Sequence, residues 1–74
     1  MTATRILIAD DHPVVRAGLR GLLAGEPGLE VTGEVASFGE LWESLATHEP
    51  DVLLLDLRMP GGAGLDAVQQ LHQR

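Results

Sequence analysis

The sequence predicts an α/β domain: a parallel three-stranded sheet built as βαβαβα, with strand order 2-1-3. Three observations predict it. Two aliphatic runs, Ile6-Leu7-Ile8-Ala9 and Val52-Leu53-Leu54-Leu55, each end in aspartate and show no polar alternation. Such runs suit strands covered on both faces of a parallel sheet. A third segment, Leu29 to Val35, alternates apolar with polar residues and suits a sheet edge. Each of the three is followed by a segment of helical apolar spacing.

The elements follow in order. Arg5 to Asp10 forms the first strand. Pro13 then stands at a first helical position, and Val15, Leu19, Leu22 and Leu23 make one apolar stripe of a helix that Gly25 and Pro27-Gly28 end. In the second strand Leu29, Val31, Gly33 and Val35 face away from Glu30, Thr32 and Glu34. Ser37 followed by Glu40 is a capping box, opening a helix with Leu41, Trp42 and Leu45 apolar and Glu49-Pro50 closing it. Asp51 to Asp56 is the third strand, Leu57 to Gly64 a Gly-rich loop, and Leu65, Val68 and Leu71 mark a third helix. The two fully aliphatic strands belong side by side, which yields the order 2-1-3.

Composition excludes several functions. The 74 residues include no Cys, which removes thiolate metal sites, thiol catalysis and disulfides. The aliphatic runs are too short to span a bilayer, and Met1 to Arg5 precedes no hydrophobic signal segment. The formal charge is −6, and all five basic residues are Arg. A surface of that sign repels nucleic acid and anionic lipid and attracts cations or a basic protein face.

Order 2-1-3 has a chemical consequence. The carboxyl ends of strands 1 and 3 flank the point where the winding reverses, the usual ligand crevice of an open α/β sheet. Asp10 and Asp11 close strand 1, and Asp56 closes strand 3, on neighbouring strands about 4.8 Å apart. Carboxylates at 5 Å repel by about 3 kcal/mol per pair at an effective dielectric of 20. That is roughly two pKa units, so the three acids must share protons or hold a cation. Oxygen donors without Cys or His select a hard ion, and Mg2+ leaves room for phosphate oxygens. A carboxylate beside such an ion can attack phosphorus and form an acyl phosphate. Asp56 is the better nucleophile, because the Gly-rich loop behind it admits a bulky phosphoryl group; Asp10 and Asp11 are the better metal holders.

The bland readings cover the remaining residues. A lone Asp here is only a helix start or a strand end; an acidic pair facing a third acid is more than that. Gly61, Gly62 and Gly64 form a turn, with no GxxxxGK phosphate loop. His12, His48 and His72 have no metal-ligand spacing and read as solvated. Trp42 reads as packing, and the Arg58 side chain as surface.

The segments Ile6-Leu7-Ile8-Ala9-Asp10-Asp11-His12-Pro13, Arg16-Ala17-Gly18-Leu19 and Asp56-Leu57-Arg58-Met59-Pro60-Gly61 resemble the receiver domain of bacterial two-component response regulators. The opening is most similar to the NarL/FixJ-type transcriptional regulators. This resemblance runs through the whole chain. It implies a flavodoxin-like (CheY-like) fold, Mg2+ at Asp10, Asp11, Asp56 and the Arg58 backbone carbonyl, and phosphorylation of Asp56 by a sensor histidine kinase in the cytoplasm. It implies a phosphoacceptor rather than an enzyme, and a receiver that controls an attached DNA-binding helix-turn-helix domain.

Departures from the family pattern shape the remaining expectations. A complete receiver adds two βα units carrying a Ser or Thr and a Lys that contact the phosphoryl group. Here no Ser, Thr or Lys follows Asp56, and there is no Lys at all. Residues 1–74 are therefore expected to be a partial receiver, without the last two βα units and the output domain. No nucleic-acid or membrane contact is expected of these residues themselves. Val52, Leu53, Leu54 and Leu55 would form an open edge, a template for a homodimer through strand 3, or one by exchange of the third helix. The alternative function is a non-switching receiver that works only as a dimerisation or partner-binding module.

Overall fold

The structure is a computed structural model that describes residues 3–62 and 64–72. Its elements are β1 (Thr4–Ala9), α1 (Pro13–Ala24), β2 (Leu29–Val35), α2 (Phe38–Thr47), β3 (Val52–Leu55) and α3 (Gly64–His72). All pairing is parallel, in the order β2-β1-β3, as the sequence predicts. Both aliphatic strands are shorter than expected at their acid ends, so Asp10 and Asp56 lie just beyond the ladders.

Alternation along β1 divides its side chains between two faces. Leu7 and Ala9 join a buried cluster with Phe38, Leu41, Leu45 and Met59, edged by half-buried Val35, Trp42, Leu53, Leu55 and Leu71. Ile6 and Ile8, equally buried, point to the opposite face, where Leu19 of α1 shares a pocket lining with Ile8. The sheet is thus sandwiched, with α1 on one side and α2 on the other. The winding reverses between β1 and β3.

The alternating strand holds a feature that period-2 reading misses. Ile6 aligns with Val31 but Leu7 aligns with Gly33, which leaves Thr32 as an extra residue. Its hydroxyl donates to the Ile6 carbonyl at 3.4 Å. The bulge switches faces: Val31 lies alongside Ile6, whereas Val35 lies alongside Ala9 in the cluster.

α2 begins as its capping box predicts. Ser37 Oγ accepts from the Glu40 N–H at 3.2 Å, and Glu40 Oε2 accepts from the Ala36 N–H at 2.8 Å. The helix ends at Thr47, before Glu49-Pro50. Phe38 is 1% exposed, although the sequence reading left it out of the helix's apolar face. The stripe predicted on α1 needs correction. No residue of α1 is buried; Val15 is 44% and Leu22 73% exposed, with Leu19 and Leu23 half-buried. Among the described residues nothing packs over the outer part of that stripe. On α3, Val68 is exposed and Leu71 half-buried, and the Leu65 side chain lies outside the described residues. No helix among the described residues is long and apolar enough to cross a membrane.

Candidate metal and phosphoryl site

The acids are carried to one place by the ends of two strands. The Asp10 N–H donates to the Val35 carbonyl at 3.0 Å, and the Asp56 N–H to the Ala9 carbonyl at 2.8 Å, so each aspartate extends its strand by one residue. Both then turn in the same manner. Asp10 Oδ1 accepts from the His12 N–H at 2.8 Å, and Asp56 Oδ1 from the Arg58 N–H at 2.9 Å. These Asx turns leave Asp56 Oδ2 directed at the crevice, 3.6 Å from His12 Nδ1. One ligating atom from each of Asp10, Asp11, His12 and Asp56 lies within 4.8 Å of the others. The three acids singled out in the sequence are therefore brought together.

His12 is the residue the sequence reading missed. Its side chain is 62% exposed, in keeping with a solvated histidine, yet Nδ1 lies 2.8 Å from Asp10 Oδ1 and 3.1 Å from Asp11 Oδ1. It enters through the tight turn after Asp10, a local geometry that ligand-spacing rules do not represent. The Asp10 hydrogen bond raises the His12 pKa above its ordinary value, with the charges of Asp11, Asp10 and Asp56 acting in the same direction. Asp10 moves the opposite way. The His12 backbone N–H, aided by the His12 ring and Arg16 against a smaller effect of burial, holds its carboxyl below the usual range. The repulsion expected of three bare carboxylates is thus relieved in part by an imidazole among them.

Arg16 fixes the acidic turn from behind. Its Nη1 donates to the Asp10 carbonyl at 2.6 Å while its Nε lies 3.5 Å from Glu34 Oε1. Arg20 Nη1 meets the other oxygen of Glu34 at 2.6 Å. This chain of charges ties α1 to β2 and to the tip of β1 at once. Opposite it, the loop after Asp56 is held rather than slack. Met59 is 3% exposed within the core, and Pro60 accepts from the Phe38 N–H at 2.9 Å. Gly61 follows with φ +97°, which a residue with a side chain seldom adopts. The Arg58 side chain lies at the surface, as expected.

A cavity of about 480 Å³ adjoins the acids, lined by Asp10, His12 and Asp56 and by the apolar Ile8, Leu19 and Leu54. One oxygen stands out. Asp11 Oδ1 is closed to solvent and has no hydrogen-bond partner among the described residues; its contact with His12 Nδ1 is close but not a hydrogen bond. A carboxylate oxygen in that state suits a cationic neighbour, and the His12 ring 3.1 Å away is the nearest such group.

Comparison with known proteins agrees with this geometry. The response regulator receiver domain family matches residues 6–74. The nitrate/nitrite response regulator protein NarL of Escherichia coli is 44% identical over 70 residues, covering 93% of this chain and 32% of that protein. The DNA-binding transcriptional activator DevR/DosR of Mycobacterium tuberculosis is 40% identical over 70 residues, covering 95% of this chain and 32% of its own length. The chain thus spans about a third of the length of these curated relatives. Among solved structures, the RcsB response regulator of Salmonella typhimurium superposes with a TM-score of 0.92 at 32% identity, over 100% of this chain and 38% of that one. A LuxR-family response regulator from Aurantimonas superposes with a TM-score of 0.85 at 38% identity, over 97% and 51%. With its strand order, its acid-tipped strands and these matches, the chain belongs to the response regulator receiver domain family.

Proposed function

We propose that Asp56 accepts a phosphoryl group from a sensor histidine kinase, with Mg2+ held by Asp10, Asp11, Asp56 and the backbone carbonyl of Arg58. The observation that supports this reading is the convergence of three carboxylates beyond adjacent parallel strands. The donor set fits a hard cation, and the orphaned Asp11 Oδ1 is the oxygen most in need of one. When bound, Mg2+ would neutralise charge on the oxygens of the transferring group. The chain's own part is positional. The Arg58 N–H occupies Asp56 Oδ1, which leaves Oδ2 to attack phosphorus. A P–O bond forms as the P–N bond of a phosphohistidine breaks, and the released imidazole nitrogen keeps the electron pair and takes up a proton.

On this reading the chain is a phosphoacceptor rather than a turnover catalyst, and it works in the cytoplasm as the β1-to-α3 portion of a receiver. Regulation of DNA would belong to a separate output domain. DevR/DosR is described as DNA-binding, and RcsB has been solved in complex with DNA. The charge of −6 argues against DNA contact by these residues themselves. The test is phosphorylation by a small phosphodonor with Mg2+, read by intact mass. One added phosphoryl group in the wild type and none in Asp56→Asn is the expected result. No incorporation in the wild type overturns it.

A second reading is a module that acts only by association. β3 bonds to β1 alone among the described residues. A homodimer through the edge formed by Val52, Leu53, Leu54 and Leu55, or through exchange of α3, would use the chain this way. Absence of phosphorylation together with stable self-association favours this second reading.

A further inference from the structure

We propose that Arg16 is a positioning residue for the cation site: its guanidinium holds the peptide joining Asp10 to Asp11 and so sets how the two carboxylates are presented. The proposal rests on the cation-binding part of the proposed function. Nη1 donates to the Asp10 carbonyl at 2.6 Å, and that carbonyl belongs to the Asp10–Asp11 peptide. A peptide unit is planar, so gripping its oxygen fixes the relative placement of the two Cα atoms that carry the acids. The backbone of Arg16 holds the other end of the turn, its N–H donating to the His12 carbonyl at 3.0 Å. The Arg16 side chain is 21% exposed, and a charge-assisted bond so sheltered is stronger than one in open water.

The end of β2 braces this grip. Asp10 is tied to it twice: its N–H donates directly to the Val35 carbonyl, and its carbonyl is reached from Glu34 through Arg16. Glu34 is in place because of the bulge at Thr32. The bulge aligns Glu34 with Ile8, whose side chain points to the α1 face. An unbroken register would align Glu34 with Ala9 and turn it to the α2 face instead. Arg20 then holds the second Glu34 oxygen at 2.6 Å. Attraction for a cation does not explain the guanidinium. Its positive charge reaches Asp10 and opposes a divalent ion there, so charge and position predict opposite effects of removing it.

The experiment measures Mg2+ affinity calorimetrically on the 74-residue chain, for the wild type, Arg16→Met, Arg16→Lys and Arg20→Met, with far-UV circular dichroism to check folding. Arg16→Met keeps an unbranched apolar stem and removes the charge and the donors. Arg16→Lys keeps the charge but not the planar fork that meets Asp10 and Glu34 together, and it supplies the reading if Arg16→Met fails to fold. Arg20→Met weakens the same tie between α1 and β2 without touching Asp10. The expected result is a loss of roughly tenfold or more in Arg16→Met, a smaller loss in Arg16→Lys, and a change of less than about twofold in Arg20→Met. Unchanged or tighter binding by a folded Arg16→Met overturns the proposal, as does wild-type affinity in Arg16→Lys. An equal loss in Arg20→Met also overturns it, because general docking of α1 would then account for the effect. No Mg2+ binding by the wild type overturns the cation reading itself, and this proposal with it.

Discussion

Asp51 and Arg5 join the start of β3 to the start of β1 through three contacts. The Asp51 N–H donates to the Arg5 carbonyl at 2.9 Å, the Arg5 N–H donates to Asp51 Oδ2 at 2.8 Å, and Arg5 Nε lies 3.4 Å from the same oxygen. The backbone N–H of Arg5, then its guanidinium, lowers the Asp51 pKa below 3.8. A depressed folded-state value means that the unfolded chain binds the proton more readily. The stabilisation is therefore present above 3.8 and is lost as pH falls below it through the folded value. Urea midpoints of the wild type and Asp51→Asn should differ at neutral pH and converge as pH is stepped down through that window. A constant gap would show that the carboxylate charge contributes nothing. At this scale the sequence was uneven. The three site acids were legible because Asp10 and Asp56 each end an aliphatic run and Asp11 directly follows the first. His12 was not, because its place depends on one turn rather than on spacing. Met59 lies in the loop as expected, but its burial in the core was not legible, because a loop position carries no periodicity.

The helices show what an apolar pattern does and does not specify. α2 was legible from its capping box and from Leu41 and Leu45; Phe38, three residues before Leu41, completes the same face. Leu41 is 0% exposed, and Leu41→Ala should cost about 2–5 kcal/mol, read from denaturant midpoints at constant slope. That is a large share of the stability of so short a chain. α1 carries an equally clear stripe, yet none of its residues is buried. Periodicity identifies which face is apolar; it does not supply the surface that covers it. α3 depends on a close approach instead. A Cβ built on Gly64 would overlap the backbone and side chain of Leu57. Gly64→Ala should therefore destabilise by about 1–3 kcal/mol and loosen the loop behind Asp56, measurable by thermal unfolding and by amide exchange at Leu57 and Arg58.

At the scale of the whole molecule the surface is larger than its size warrants. The accessible area is 5038 Å², against about 4,400 Å² for a compact monomer of this length. Apolar side chains account for part of that exposure, with Val14 at 84%, Leu22 at 73% and Val52 at 40%. Among the described residues β3 pairs with β1 alone, which leaves its other edge open and flanked by aliphatic residues. An uncharged aliphatic edge is a template for strand addition, and a second copy of the same edge offers matching geometry under two-fold symmetry. Pairing β3 with its symmetry mate would make one sheet of order 2-1-3-3′-1′-2′. Sedimentation of the 74-residue chain at micromolar concentration should accordingly show a dimer. Val52→Lys places a charge at the exposed start of this edge, where the native side chain is already in partial contact with water, so the monomer fold tolerates it. The substitution should shift the population to monomer with unchanged circular dichroism. A dimer that survives Val52→Lys would move the contact away from this edge, to exchanged α3 or to the exposed stripe of α1. A monodisperse, well-folded wild-type monomer would leave the edge without a role in assembly.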